Sequence, residues 1–286
     1  MKKLLVLLLI TAFILGGCAN NVVSMPSQAT ADQATQDQAT PDQTSDQPVS
    51  PAFRDLTSPT KVSDDQIPSS PSGEKDAAAL SKYNRILNGE LRDDSSELDV
   101  EAMDQYPELP SGCESVALTI ALNGMGAELD KTDIAEKYLE YDDNFAVGFC
   151  GDPFTDGGAG VYPPGLVSTA WNYINDKNAG LYAFDTTGLT IEELCKFIDA
   201  GCPAVVWTTV YMGWPYFDGG VEYNEVFYPW YDLEHCVCMY GYDVEDNEVM
   251  ISDPQRGKIT VSMSEFEEIY DEIGRFSMIL MDVSDL

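Results

Sequence analysis

The sequence predicts an α+β domain in which a buried helix carrying a cysteine packs against an antiparallel β-sheet carrying the only histidine of the chain. Three observations predict it. "SGCESVALTIALNGMG", residues 111–126, is apolar almost all round from 116 to 122, as a helix sunk in a core must be. "CPAVVWTTV", 202–210, and "EHCVCMYGYD", 234–243, are short, β-branched and aromatic runs of strand character. "VEDNEV" turns at Asp246 and Asn247, so the run 249–252 returns as a strand beside the histidine strand and ends at Asp253.

The chain begins differently. Lys2 and Lys3 precede an apolar run over 4–15, too short to span a bilayer, and "LGGC" closes it at Cys18. Small residues before a cysteine at this place resemble a bacterial lipoprotein signal, residues 1–17. The resemblance implies cleavage before Cys18, a lipid on its sulfur, and anchorage to the cell membrane on its extracytoplasmic face. The alternative is an ordinary secretion signal with an incidental cysteine. Residues 18–75 then read as a disordered tether. "DQATQDQATPDQTSDQP", 32–48, has no Leu, Ile, Val or aromatic side chain with which to offset its ordering entropy. Residues 76–97 read as a short helix, spaced through Leu80, Tyr83 and Leu87, and then a loop, "RDDSSELD". Residues 98–286 form the compact domain, of ordinary size for one.

Forty-nine acidic residues against fifteen basic ones give a formal charge of -34. Such charge argues against nucleic acid and against direct binding to anionic lipid surfaces. It suits a solvated domain outside the cell and, more weakly, a cationic substrate. Seven cysteines occur, with no CxxC pair, so zinc-ribbon and thioredoxin-type sites lack their spacing. Cys236 and Cys238, two apart on one strand, are badly placed to pair with each other; Cys195 and Cys202 bracket a helix end, where a bridge stays open. One histidine excludes a multi-histidine metal site, and neither HExxH nor GxSxG is present. No cofactor or metal is expected.

If the chain does acid–base chemistry near neutral pH, His235 is the natural group. An arbitrary lone histidine on a strand is more often a structural one. Here Asp253, at the end of the neighbouring strand, is placed to hold its ring, although Asp before Pro254 also starts many turns. Cys113 sits where the helix begins, with Ser111 or Gly112 as its cap. A helix N-terminus and an adjacent imidazolium both favour thiolate, the reactive form. The residues therefore read Cys113 as a nucleophile presented to a cleft, its sulfur within about 4 Å of a ring nitrogen of His235. The Gly/Pro-rich run 148–165 is expected to border that cleft. Glu114, Trp207 and Trp230 read as structural or wall residues.

The segments "QYPELPSGCES", "LTIEELCKFIDAGCPAVVWTT", "EHCVCMYGYD", "ISDPQRG" and "EFEEIYDEIGRFSMIL" resemble, in order, the papain-like bacterial cysteine peptidases related to the bacteriocin-processing (double-glycine leader) peptidases. The resemblance spans about 105–280. It implies a papain-like fold, with the helix bearing Cys113 packed on the antiparallel sheet bearing His235. It implies Cys113 as nucleophile, His235 as general base and acid, Asp253 as the residue orienting it, and Gln105 as an oxyanion donor. The implied substrate is a peptide or protein. A cell-wall amidase or isopeptide transferase would use the same chemistry, and a non-catalytic binding lipoprotein would use the fold alone.

Overall fold

The computed structural model describes residues 73–286. The predicted signal segment, Cys18 and nearly all of the predicted tether lie outside the described residues. Helix α1, Gly73–Leu87, carries the predicted spacing, and it is packed down rather than loose: Ala79 and Tyr83 are fully buried. The Tyr83 ring lies 4.9 Å, centroid to centroid, from both Phe184 and Phe197. Its hydroxyl is buried without a hydrogen-bond partner. Tyr83→Ala is therefore expected to cost about 3–5 kcal/mol in urea unfolding, as other large aromatic truncations do. Tyr83→Phe, which only removes the unpaired hydroxyl, is expected to be neutral or stabilising.

The next segment departs from the sequence reading. "RDDSSELD" is not all loop: Ser95–Glu97 forms strand β1. Nothing in three polar residues favours a strand. The backbone is recruited instead by residues 241–243 of a longer strand, which need a partner. Gly241 permits the close approach, since a side chain there would meet the Ser96 carbonyl oxygen at 3.0 Å and the Met250 sulfur at 2.7 Å.

The rest runs in chain order. Helix α2, Cys113–Gly124, is buried from its first residue to Leu122. Short α3, Asp133–Lys137, and α4, Pro163–Lys177, follow. Then come β2, Leu181–Asp185, and α5, Ile191–Asp199, which starts on a reciprocal capping box of Thr190 with Glu193. Strand β3, Ala204–Thr209, leads to a hairpin of β4, Tyr216–Tyr223, and β5, Val226–Asp232. The chain ends with β6, Glu234–Asp243; β7, Glu248–Asp253; β8, Gly257–Ser262; α6, Met263–Ile273; and β9, Ser277–Asp282.

Seven strands form one antiparallel sheet in the order β2-β9-β3-β6-β7-β8, with β1 extending the β6 pairing. The β4–β5 hairpin is a separate two-stranded ribbon. The sheet is all but wholly buried along β2, β3, β6 and β9, with α2 packed against β6. Trp207, on β3, is fully buried and donates its indole N–H to the Val161 carbonyl at 3.1 Å. It is structural, as the sequence reading has it. The architecture is the α+β class predicted, a cysteine-bearing helix against an antiparallel sheet that carries the histidine.

Candidate active site

Cys113 is the first residue of α2, and Gly112 occupies the cap position without a side-chain cap. Ser111 does not cap the helix. Its hydroxyl donates instead to the Thr155 carbonyl at 2.7 Å, and its backbone N–H donates to the Pro153 carbonyl at 3.4 Å. The first-turn N–H groups of α2 are thus left without a side-chain acceptor at the cap, the condition that backbone oxyanion binding requires. These contacts also show that the Gly/Pro-rich run folds over the start of α2. A further one joins them: Val161 N–H donates to Glu114 Oε1 at 2.8 Å.

That covering corrects one expectation. Cys113 is not presented to an open cleft; it is 3% exposed. Its thiol donates to Glu114 Oε2 at 3.3 Å. The expected bond to His235 is not made. Burial first, then the Glu114 and Glu234 carboxyls, push the Cys113 thiol well above its ordinary range, against the lowering expected at a helix N-terminus.

His235 and Asp253 do meet. His235, 1% exposed on β6, has its Nε2 2.8 Å from Asp253 Oδ1. The Nδ1 atom is buried and without a hydrogen-bond partner. Asp253 closes β7 and serves the turn as well: its Oδ1 accepts the Gln255 N–H at 2.8 Å, and its Oδ2 lies 2.6 Å from Arg256 Nε. Asp253 thus contacts the His235 ring and also braces the turn that follows it. Burial would raise its pKa, but the hydrogen bond and charge of His235, the Gln255 N–H and Arg256 together hold it well below the usual carboxylate range.

Gln105 is buried, with its backbone N–H donating to the Pro254 carbonyl at 2.9 Å and its side-chain amide donating to the Pro110 carbonyl at 2.9 Å. Its Oε1 is buried and unpaired. Gln105 thus joins the segment entering α2 to the turn leaving β7, so the Cys113 side and the Asp253 side of the site are strapped together. It is not the solvated surface residue that a polar side chain there would most often be.

Two side chains were not assigned a site role by sequence reasoning: Glu114, read as structural, and Glu234. Each is the chain neighbour of a candidate catalytic residue, in "GCE" and "LEH". Both are buried, and one oxygen of each and the Cys113 sulfur all lie within 4.8 Å of one another. Among the described residues this is the only convergence of three His, Cys, Asp or Glu donors. It includes the sulfur itself, so a cation there would quench a nucleophile rather than serve it. A "C-E" and an "E-H" pair were the visible signal; their meeting required the fold. The six cysteines among the described residues are all free thiols, so the bridge left open between Cys195 and Cys202 is not formed.

Residues 97–278 match the model of the Peptidase C39-like family. The uncharacterized protein YvpB of Bacillus subtilis (strain 168) is 28% identical over 224 residues, 72% of this chain and 81% of that protein. A crystal structure from Bacillus anthracis, assigned as a C39-like peptidase, overlays with a TM-score of 0.57 at 30% identity, covering 66% of this chain and 98% of its own. The fold is papain-like, as the sequence resemblance implied.

Proposed function

The chain belongs to the peptidase C39-like family, and from that premise we propose that it is a cysteine peptidase using Cys113, His235, Asp253 and Gln105. The observation that carries the assignment of roles is the His235–Asp253 pair. One ring nitrogen is fixed at 2.8 Å from a buried carboxylate, and the other is left free for a thiol. A histidine kept only for structure would be expected to satisfy both nitrogens in so buried a place.

In this reading Cys113 turns from Glu114 to His235 and gives its proton to Nδ1. Nucleophile–base contacts commonly tighten only in the substrate complex. The sulfur attacks the peptide carbonyl, and the oxyanion is held by the backbone N–H of Cys113 and the Gln105 amide. The C–N bond breaks as His235 returns its proton to the leaving amine. Water then attacks the thioester, His235 takes up its proton, and the thiol is regenerated as the acid leaves. Asp253 keeps the ring oriented and offsets its positive charge.

The lipoprotein-like start implies that the domain works outside the membrane, held by a lipid on Cys18 through the polar segment that follows it. Labelling with radioactive palmitate, lost in Cys18→Ala, checks the anchor.

Incubation of the purified chain with a peptide library and, separately, with purified peptidoglycan tests the activity. Cleavage of linear peptides supports the proposal. Release of wall fragments alone would assign the same chemistry to an amidase. Gln105→Ala is expected to lower kcat by about 10²–10³-fold with little change in KM, as removal of an oxyanion donor does. A change confined to KM would mean that Gln105 binds substrate instead.

A further inference from the structure

The carboxyls of Glu114 and Glu234 have no part in the chemistry above, yet they flank the sulfur that does. Glu234 is 5% exposed, and neither of its oxygens has a hydrogen-bond partner. Among the described residues no lysine, arginine or histidine pairs with either carboxyl. The other titratable groups that feel them, Cys113, Cys236, Cys150 and Tyr162, are all acids whose neutral forms burial favours. Space is also closed. A methyl group on Gly160 would meet Glu114 Oε1 at 2.4 Å and Glu234 Oε2 at 3.3 Å. Two carboxylates so near each other, desolvated and without a cation, cannot both ionise.

The hydrogen bonds decide which one keeps the proton. Glu114 accepts from Val161 N–H and from the Cys113 thiol, and both bonds favour its carboxylate. Glu234 accepts from nothing. We propose that Glu234 is held as a neutral acid and Glu114 as a carboxylate, and that the pair positions Cys113 by parking its thiol, protonated, on Glu114 until it turns to His235. The inference rests on Cys113 as the nucleophile, but the proton arrangement does not depend on catalysis. The electrostatics give the same order: burial and then Glu114 raise Glu234 well above the usual carboxylate range, while Glu114, raised by burial to about 7, is held below its partner by its donors.

When Cys113 leaves Glu114, its proton passes to Nδ1 of His235 and the carboxyl pair keeps its single proton. With Glu114 ionised, one negative charge stands beside the sulfur, which holds the thiol unreactive at rest. Loss of that single proton from Glu234 would place two charges there and oppose the thiolate further. Glu114 and Glu234 are positioning residues in this account, not catalytic ones.

The test uses two readouts on the whole protein. Infrared spectra at pH 7 in D₂O should contain the C=O stretch of one buried protonated carboxyl. Glu234→Gln should remove that band, and Glu114→Gln should keep it. Alkylation of Cys113 by iodoacetamide, followed by peptide mass mapping, should speed up about tenfold at pH 7 in Glu114→Gln, the effect of about one pKa unit. In Glu234→Gln the rate at pH 7 should match the parent and diverge only on the alkaline limb. A merely structural pair would leave the alkylation profile unmoved in both variants. A missing band in the parent, or a band that survives Glu234→Gln, overturns the proposal. So does stoichiometric Co²⁺ uptake with a thiolate charge-transfer band that Glu234→Gln abolishes, which would assign the carboxyls to a cation. If Glu114→Gln does not fold, the Glu234→Gln infrared difference decides alone. Absence of peptide cleavage with the infrared result intact would instead defeat the peptidase reading and leave the proton arrangement standing.

Discussion

Alanine in place of Cys113 is expected to abolish peptide hydrolysis, and alanine in place of His235 to cost nearly as much. The loss in kcat should be on the order of 10⁶-fold for either, because a nucleophile and its base act as one unit. The informative measurement is the double variant. If the two residues work together, Cys113→Ala with His235→Ala should be no slower than either alone. Independent, multiplying losses would mean that His235 serves some other step. Iodoacetamide gives a second view that needs no substrate: His235→Ala should slow alkylation of Cys113 at neutral pH, since the base that takes the thiol proton is gone. If His235 is only a core residue, unfolding will report its loss while the alkylation rate of the folded protein stays the same.

The second large effect belongs to Asp253. Asparagine there keeps the shape but loses the charge and one of two acceptor oxygens, both of which are in use, so the hold on the His235 tautomer weakens and kcat is expected to fall by up to about 10⁴-fold. Alanine does more. It leaves Arg256 without its partner and His235 Nε2 buried without an acceptor, so urea unfolding should show a loss of about 3–5 kcal/mol. The pH dependence follows from the depressed pKa of Asp253 in the folded state. Its contribution is present above the unfolded carboxylate pKa of about 3.9 and is lost as pH falls toward the lower folded value. Acid unfolding of Asp253→Asn should therefore be flatter below about pH 4 than that of the parent. A parallel acid limb in the two proteins would mean that another group carries the dependence.

The parts of the fold legible in the sequence are those where one local pattern had one outcome. The all-round apolar run after Cys113 could only be a buried helix. The "VEDNEV" turn set the β6–β7 pairing that brings His235 to Asp253. The pairing of β1 was not legible, because its polar residues contribute backbone alone to a vacant stretch of β6. Likewise the cover over Cys113 depends on loop carbonyls of Pro153 and Thr155, which carry no side-chain signature. The lone histidine narrowed the general base to one residue. Glu114 and Glu234, two among forty-nine acidic residues, are marked in the sequence only by standing beside Cys113 and His235; their burial sets them apart from most of the described carboxylates.

Strand β9 lies between β2 and β3, although it follows every other strand in the chain. A polypeptide made from its N-terminus therefore has β2 and β3 long before the piece that joins them. Until residue 282 is delivered, β3 lacks its β9 neighbour, and β3 is the strand on which β6 lines up Thr208 with His235. Pairings of such long sequence separation form late. A growing chain therefore holds every candidate catalytic residue before the last strand can complete the middle of its sheet.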